Sequence, residues 1–147
     1  MEWVTALRGK VVGLDTTPLI YFIEENPAYL PTVHPFFEAV DRGEFAVVTS
    51  MITLLEVLVH PFRRGDTQLA QRYRDILLNA KGLTTIHFSQ DIAEGAARLR
   101  AAHNIRTPDA IQMATAMHAG ASSFLTNDNR LPSFPNFKVL VVDELKA

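Results

Sequence analysis

The chain has 147 residues, of which 48% are hydrophobic and 20% charged, and a net charge of −2; this indicates one compact soluble domain and argues against a protein coated in positive charge. No cysteine is present, which excludes a disulfide framework and a thiolate zinc site. The N-terminus lacks a signal-peptide pattern and the apolar runs are too short to span a bilayer, so we expect a cytoplasmic protein that does not enter a membrane.

Short apolar runs alternate with helical patterns along the chain, and turn residues separate them. In chain order, the first part predicts a strand at 10–15, helices at 16–26 and 31–43, a strand at 44–50 and a helix at 50–61. We expect Thr17 to cap the first of these helices. Ser50 and Pro61 are expected to begin and end the third.

The second part of the chain continues the alternation. It predicts a helix at 66–82, a strand at 83–88, helices at 89–105 and 107–120, and strands at 122–126 and 137–143. Asp66, Ser89 and Thr107 are the expected helix caps. Strands alternating with helices predict an α/β fold, with a parallel sheet of about five strands and helices on both faces.

The domain organisation follows from the absence of any internal repeat, low-complexity tract or linker. We expect one domain over residues 1–147, with a core at about 11–143. A short N-terminal extension at 1–10 precedes the first strand, and no role can be assigned to it from its sequence.

Four carboxylates follow the predicted strands closely. Asp15 comes directly after the first strand, and Asp128 lies one turn beyond the fourth. Asp109 is in the first turn of its helix, and Glu56 lies roughly 9 Å along its helix from the start. Because ligands of open parallel sheets bind at the carboxyl ends of the strands, we expect these four side chains to converge on one crevice.

Each acid also has a simpler explanation. Asp109 would be favourable through the helix dipole alone, and Asp15 and Asp128 could be turn formers. Glu56 is harder to explain in this way, because its neighbours are apolar and an unpaired buried carboxylate is costly.

Crowded carboxylates repel, so we expect one of the four acids to have a raised pKa when no cation is bound. Oxygen ligands without cysteine or paired histidines favour Mg²⁺ or Mn²⁺.

Charge is distributed unevenly along the chain. Residues 61–106 carry eight basic and four acidic side chains, whereas residues 1–60 carry three basic and eight acidic. The middle third is therefore where a polyanion-binding surface would lie. The charge pattern by itself is explained more simply by a solvated helical face with ordinary ion pairs.

Three motifs together resemble the PIN-domain ribonucleases, particularly the VapC-like toxins of prokaryotic toxin–antitoxin pairs. They are GLDTTPLIYF, TSMITLLEVLVHP and RTPDAIQMATAMHAGASSFLTND, and the resemblance covers about residues 11–143. The acidic quartet of that family falls on Asp15, Glu56, Asp109 and Asp128. Thr126 matches a polar position beside the metal site, and Thr17 stands where many relatives have asparagine or serine.

The resemblance implies a metal-dependent endoribonuclease that uses Mg²⁺ or Mn²⁺. Asp15, Asp109 and Asp128 would hold the ion, and Glu56 would bind a second ion or orient the attacking water. The RNA backbone would be bound by arginines of the middle third, namely Arg63, Arg64, Arg72 and Arg74. The resemblance also implies a cognate antitoxin and a homodimer. The apolar segments 19–23 and 33–40 suggest a hydrophobic surface for that dimer.

Two other functions remain open from the sequence. A non-catalytic RNA-binding or scaffold module could use the same fold, although it would not need four acids. A phosphohydrolase could use Asp15 as its nucleophile. Phosphatases of that kind place a second acid two residues later, and here that position is Thr17.

Overall fold

The computed structural model describes residues 1–146, in which five short strands form one parallel sheet. The strands are β1 (Val11–Leu14), β2 (Ala46–Ser50), β3 (Leu83–Ile86), β4 (Ser123–Thr126) and β5 (Lys138–Val141). The helices are α1 (Glu2–Thr5), α2 (Thr16–Ile23), α3 (Leu30–Asp41), α4 (Met51–Arg64), α5 (Thr67–Asn79), α6 (Gln90–Ala102) and α7 (Thr107–His118). A 3₁₀ turn, Val142–Glu144, follows β5.

The strand order is β3-β2-β1-β4-β5. The chain therefore moves outward from β1 to β3 on one side, then crosses to β4 and β5 on the other. Such a reversal of strand order leaves a crevice at the carboxyl ends of the two strands that flank it. Here those strands are β1 and β4, which pair with Gly13 opposite Phe124.

The sheet separates two apolar clusters. One contains Val12, Leu14 and Phe36 and extends to α5 through Tyr73. The other contains Met113 of α7, together with residues of α6, β4 and the β5 region. Helices thus cover both faces, as the alternation of strands and helices predicted.

Three predicted helix ends were wrong. Asp15 rather than Thr17 caps α2, because its side chain accepts from the backbone N–H of Thr16. Helix α4 continues past Pro61 and ends at Gly65, whose φ of 67° suits a glycine. Thr107 is the first helical residue of α7 and makes no capping hydrogen bond.

The apolar segments 19–23 and 33–40 are mainly part of the core, since Leu19, Phe36 and Phe37 are buried. These three side chains are therefore not available for the dimer surface that the sequence suggested. Exposed large apolar side chains lie instead on α4, at Leu55 and Phe62. The extension at 1–10 adds Val4 and Leu7 to the same core and stacks Trp3 on Phe36.

No helix within residues 1–146 has both the length and the apolar composition needed to cross a membrane.

Helix α7 lies directly against the centre of the sheet because β1 carries a glycine there. A Cβ added at Gly13 would overlap Cβ of Ala116 and approach Cδ1 of Phe124 to 2.8 Å. The small residues on both sides of this contact thus set how close α7 comes to β1. That distance matters for the acids, since Asp109 is carried by the first turn of α7.

We predict that Gly13→Ala lowers the free energy of unfolding by about 1–3 kcal/mol, because it overpacks the contact between β1 and α7. Urea unfolding of the purified protein measures this. Gly95→Ala is the matched control, since its added Cβ would meet only Ala114 Cβ at an ordinary 3.5 Å. Equal stability of the two variants would show that the close approach of α7 does not depend on Gly13.

Candidate functional site

Asp15 connects three elements at the end of the central strand. Its Oδ1 accepts from the N–H of Thr16 at 2.8 Å, which caps α2. Its Oδ2 accepts from the Thr126 hydroxyl at the end of β4, at 2.7 Å. Its own N–H donates to the carbonyl of Leu125 at 2.9 Å. A carboxylate at this position therefore joins β1, α2 and β4.

All four predicted acids line one cavity of about 420 Å³ at the carboxyl edge of the sheet, which we call the acid cavity. Its lining comprises Asp15, Thr16, Thr17, Glu56, Arg106, Asp109, Thr126, Asn127, Asp128, Asn129 and Arg130. The four carboxylates come from four segments far apart in the chain, so the fold brings them together as the sequence predicted.

Glu56 is oriented by a buried chain of hydrogen bonds. The Thr16 hydroxyl donates to Glu56 Oε1 at 2.6 Å. The Gln112 side-chain amide donates to the Thr16 hydroxyl oxygen at 3.1 Å and to that of Thr53 at 2.7 Å. Because the Thr16 oxygen accepts from Gln112, its single hydrogen is available for Glu56. Gln112 and Thr16 are far from Glu56 in sequence, and together they set the position of its carboxylate.

Sequence analysis missed both of these supporting residues. Thr17, the residue that it selected, lines the acid cavity, but Thr16 makes the contact with Glu56. A usable signal was present, since Thr53 and Gln112 are polar residues within otherwise apolar helical segments. Buried polar groups usually have hydrogen-bond partners, so such positions mark a network.

Asp109 and Asp128 are each paired with an arginine. Arg130 donates from Nε to Asp128 Oδ1 and from Nη2 to Asp128 Oδ2, both at 2.9 Å. Arg106 Nε lies 3.4 Å from Asp109 Oδ2. Thr126 also supports Asp128, whose N–H donates to the Thr126 hydroxyl oxygen at 3.0 Å.

The acids differ in their electrostatic environment. Burial raises the pKa of Asp15 to about 6, with smaller contributions from the charges of Asp109 and Glu56. The hydrogen bonds from Thr126 and from the Thr16 N–H act in the opposite direction. The sequence predicted a raised pKa for one of the four acids through repulsion between carboxylates. Burial, rather than repulsion, is the main cause at Asp15. Hydrogen bonding to Arg130 lowers the pKa of Asp128.

The four carboxylates are not clustered tightly. Within residues 1–146, no three Asp, Glu or His side chains are close enough together to hold one metal ion. Two of the four carboxylates are paired with Arg106 and Arg130 instead. Binding of one cation by three of the acids therefore requires movement of side chains.

The arginines predicted to bind RNA lie outside the acid cavity, whose described lining contains Arg106 and Arg130 instead. Arg63 and Arg64 are exposed in the last turn of α4. Arg72 donates to the carbonyl of Ile23 at 2.9 Å. The guanidinium of Arg74 lies 5.7 Å from the centre of the Phe62 ring.

Comparison with known proteins identifies the family. The sequence model of the PIN domain matches residues 12–136. The chain belongs to the PIN domain family. No protein of curated function matches the chain significantly in sequence.

Several solved structures share this PIN fold. VapBC2 from Rickettsia felis, bound to a promoter DNA fragment, is 20% identical with a TM-score of 0.70, over 89% of this chain and 98% of that chain. A toxin–antitoxin complex from Klebsiella pneumoniae is 26% identical with a TM-score of 0.65, over 90% and 97%. Mycobacterium tuberculosis VapC20, a sarcin–ricin loop cleaving toxin, is 19% identical with a TM-score of 0.63, over 78% and 86%.

In this PIN domain, the raised pKa of Asp15 predicts a pH-dependent cost of folding in chelator. As pH rises from the ordinary value of 3.8 to about 6, the unfolded chain loses this proton before the folded one does, so stability falls. Above pH 6 the full cost is about 3 kcal/mol. Asp15→Asn lacks this cost, so its stability relative to wild type should rise by about that amount between pH 4 and pH 7.

Urea unfolding at several pH values in chelator measures this difference. Asp66→Asn is the matched control, because Asp66 caps α5 from outside the acid cavity. A difference between Asp15→Asn and wild type that does not change with pH would show that burial of Asp15 costs nothing.

Proposed function

We propose that this PIN domain is a metal-dependent endoribonuclease and the toxin of a type II toxin–antitoxin pair, acting in the cytoplasm. The observation that carries the proposal is the convergence of four carboxylates from four segments on one cavity at the carboxyl edge of the sheet. Family membership supports a nuclease. The description of VapC20 as a sarcin–ricin loop cleaving toxin supports RNA as the substrate.

The donor groups of the acid cavity suit Mg²⁺ or Mn²⁺, because they are carboxylate, hydroxyl and amide oxygens. Asp15, Asp109 and Asp128 would hold the ion, directly or through water. A bound cation would also offset the repulsion that Asp15 experiences from Asp109 and Glu56. When bound, such an ion neutralises the scissile phosphate, lowers the pKa of a water molecule and stabilises the leaving oxygen.

Glu56 is the candidate for orienting the attacking water, or for binding a second ion. Its Oε1 accepts from Thr16, and its remaining lone pairs, including both on Oε2, can accept from a water molecule. Because Thr16 is in turn held by Gln112, Glu56 is positioned before substrate arrives. A carboxylate positioned in this way contributes to catalysis by orientation.

RNA would be held by guanidinium groups at the end of α4 and on α5. Arg63 and Arg64 are exposed at the end of α4 and can contact backbone phosphates. Arg74, beside Phe62, would extend this surface. Arg72 is attached to the end of α2, so it would present a fixed charge. This arrangement lets a protein of net charge −2 bind a polyanion.

An antitoxin partner is supported by the solved neighbours, which include toxin–antitoxin complexes. Leu55, Val59 and Phe62 are exposed on α4 at spacings of four and three residues, which places them on one helical face. An exposed apolar row of this kind is typical of a protein interface. A homodimer would also bury such a surface.

The alternatives are less well supported. A pure RNA-binding module would use the arginines but would have no need for four carboxylates in one cavity. A phosphatase with an aspartate nucleophile would need a second acid two residues later, and here that position is Thr17.

We expect Asp15→Asn and Asp109→Asn each to lower RNA cleavage in Mg²⁺ by at least about a hundredfold, because each removes a charged oxygen from the site. Cleavage of a panel of structured RNAs, followed on denaturing gels, measures this. Asp66→Asn serves again as the control, since it removes a carboxylate outside the acid cavity. Wild-type cleavage by either cavity variant would refute the assigned site.

Gln112→Leu should lower kcat about tenfold with little change in KM, because the Thr16 hydroxyl loses the donor that directs it to Glu56. The variant should stay folded, since it also removes the Gln112 Oε1, which is buried without a hydrogen-bond partner among the described residues. Gln71→Leu, at an exposed position of α5, is the control. An unchanged kcat in the folded variant would show that Gln112 does not position Glu56.

A further inference from the structure

Two arginines cover the carboxylates of the acid cavity that lie on its α7 and β4 sides. The side chains of Arg130 and Arg106 are 74% and 73% exposed, whereas those of Asp128 and Asp109 are 22% and 15% exposed. The guanidinium groups therefore lie on the solvent side of the acids with which they pair. Neither arginine was selected by sequence analysis.

The pairing of Arg130 with Asp128 occupies both oxygens of the carboxylate. Nε and Nη2 form a two-pronged contact, with each distance at 2.9 Å. A cation that binds Asp128 directly must therefore compete with Arg130 for the same oxygens. The contact of Arg106 with Asp109 is a single one at 3.4 Å, and it can be broken more easily.

Separation of these pairs costs less than separation of a fully buried pair, because the guanidinium groups remain solvated on the outer side of the acids. The four carboxylates also outnumber the two guanidiniums that line the cavity. A net negative charge therefore remains to attract a cation while both arginines are in place. This explains how the acids can be held apart in the protein alone and still form a cation site.

A guanidinium displaced from Asp128 or Asp109 stays attached to the rim of the acid cavity. Its planar fork matches the two non-bridging oxygens of a phosphodiester as well as it matches a carboxylate. The backbone of Arg130 is held in place, since its N–H donates to Asp128 Oδ1 at 3.0 Å. The displaced side chain would thus reach a phosphate beside the bound cation.

We propose that Arg130 and Arg106 exchange partners, pairing with Asp128 and Asp109 in the cation-free protein and with RNA phosphates once a divalent cation holds those carboxylates. This inference rests on the proposed nuclease function. It makes cation binding and RNA binding cooperative, because each releases a group that the other needs. Arg130 and Arg106 are substrate-binding residues in this scheme.

Arg130→Gln tests the exchange by its opposite effects on two ligands. Isothermal titration with Mn²⁺ should show binding about two- to fivefold tighter than wild type, which is the effect expected when a competing surface ion pair is removed. Binding of a short single-stranded 2′-O-methyl RNA in Mn²⁺ should become about tenfold weaker. The slope of log Kd against log salt should fall by about 0.7, the value for one lost phosphate contact on a single strand.

Two further variants separate exchange from a purely structural role. Arg130→Lys keeps the charge without the fork, so it should retain the salt slope of wild type while binding RNA more weakly. Arg106→Gln, on a different segment, should repeat the effects of Arg130→Gln even if that variant folds poorly. Arg42→Gln is the matched control, because it breaks an exposed pair with Glu44 outside the acid cavity.

Unchanged Mn²⁺ affinity in both Arg130→Gln and Arg106→Gln would overturn the proposal, as would tighter Mn²⁺ binding with unchanged RNA binding. Weaker binding of both ligands would show that the arginines only hold their loops in place, which also overturns it. Wild-type protein that binds no Mn²⁺ would refute both the exchange and the metal site. Opposite effects on the two ligands in a protein that cleaves no RNA would support the exchange and refute the nuclease.

Discussion

The burial of one carboxylate at the end of the central strand is the constraint on which the site depends. Asp15 accepts from Thr16 at the start of α2 and from Thr126 at the end of β4. The hydrogen bond from Thr126 joins the ends of the two strands that flank the reversal of strand order. The two hydrogen bonds offset only part of the cost of burial, and the pKa of Asp15 remains raised. The site is therefore built around a carboxylate whose charged form is disfavoured by burial.

The contact between α7 and β1 helps to position two of the other acids, Asp109 and Glu56. Gly13 and Ala116 let the helix lie directly on the sheet, and α7 supplies both Asp109 and Gln112. Gln112 then reaches Thr16 and, through it, Glu56. The packing of α7 on β1 and the hydrogen bonds of Gln112 thus position the same side chains. A buried amide needs hydrogen-bond partners, and Gln112 finds them where the packing of α7 places it.

Charge in the acid cavity is partly balanced by two arginines of the same chain. Arg130 and Arg106 pair with two of the four carboxylates, so the protein without cation avoids part of the repulsion. The same guanidiniums are suited to phosphate once they are displaced. In the proposed function, one small surface would attract both a cation and a polyanion, and the exposed arginines at the end of α4 would extend the contact.

From β1 onward, the sequence by itself determined the order of strands and helices and the α/β class, and it placed four acids near strand and helix ends, because periodicity and element ends are local properties. It could not determine which polar neighbour meets Glu56, that Arg106 and Arg130 pair with Asp109 and Asp128, or that segments 19–23 and 33–40 lie in the core. The decisive contacts of Thr16 with Glu56 and of Gln112 with Thr16 join residues 40 and 96 positions apart. Only the tertiary structure decided these, because strand order and helix packing choose which side chains share one cavity.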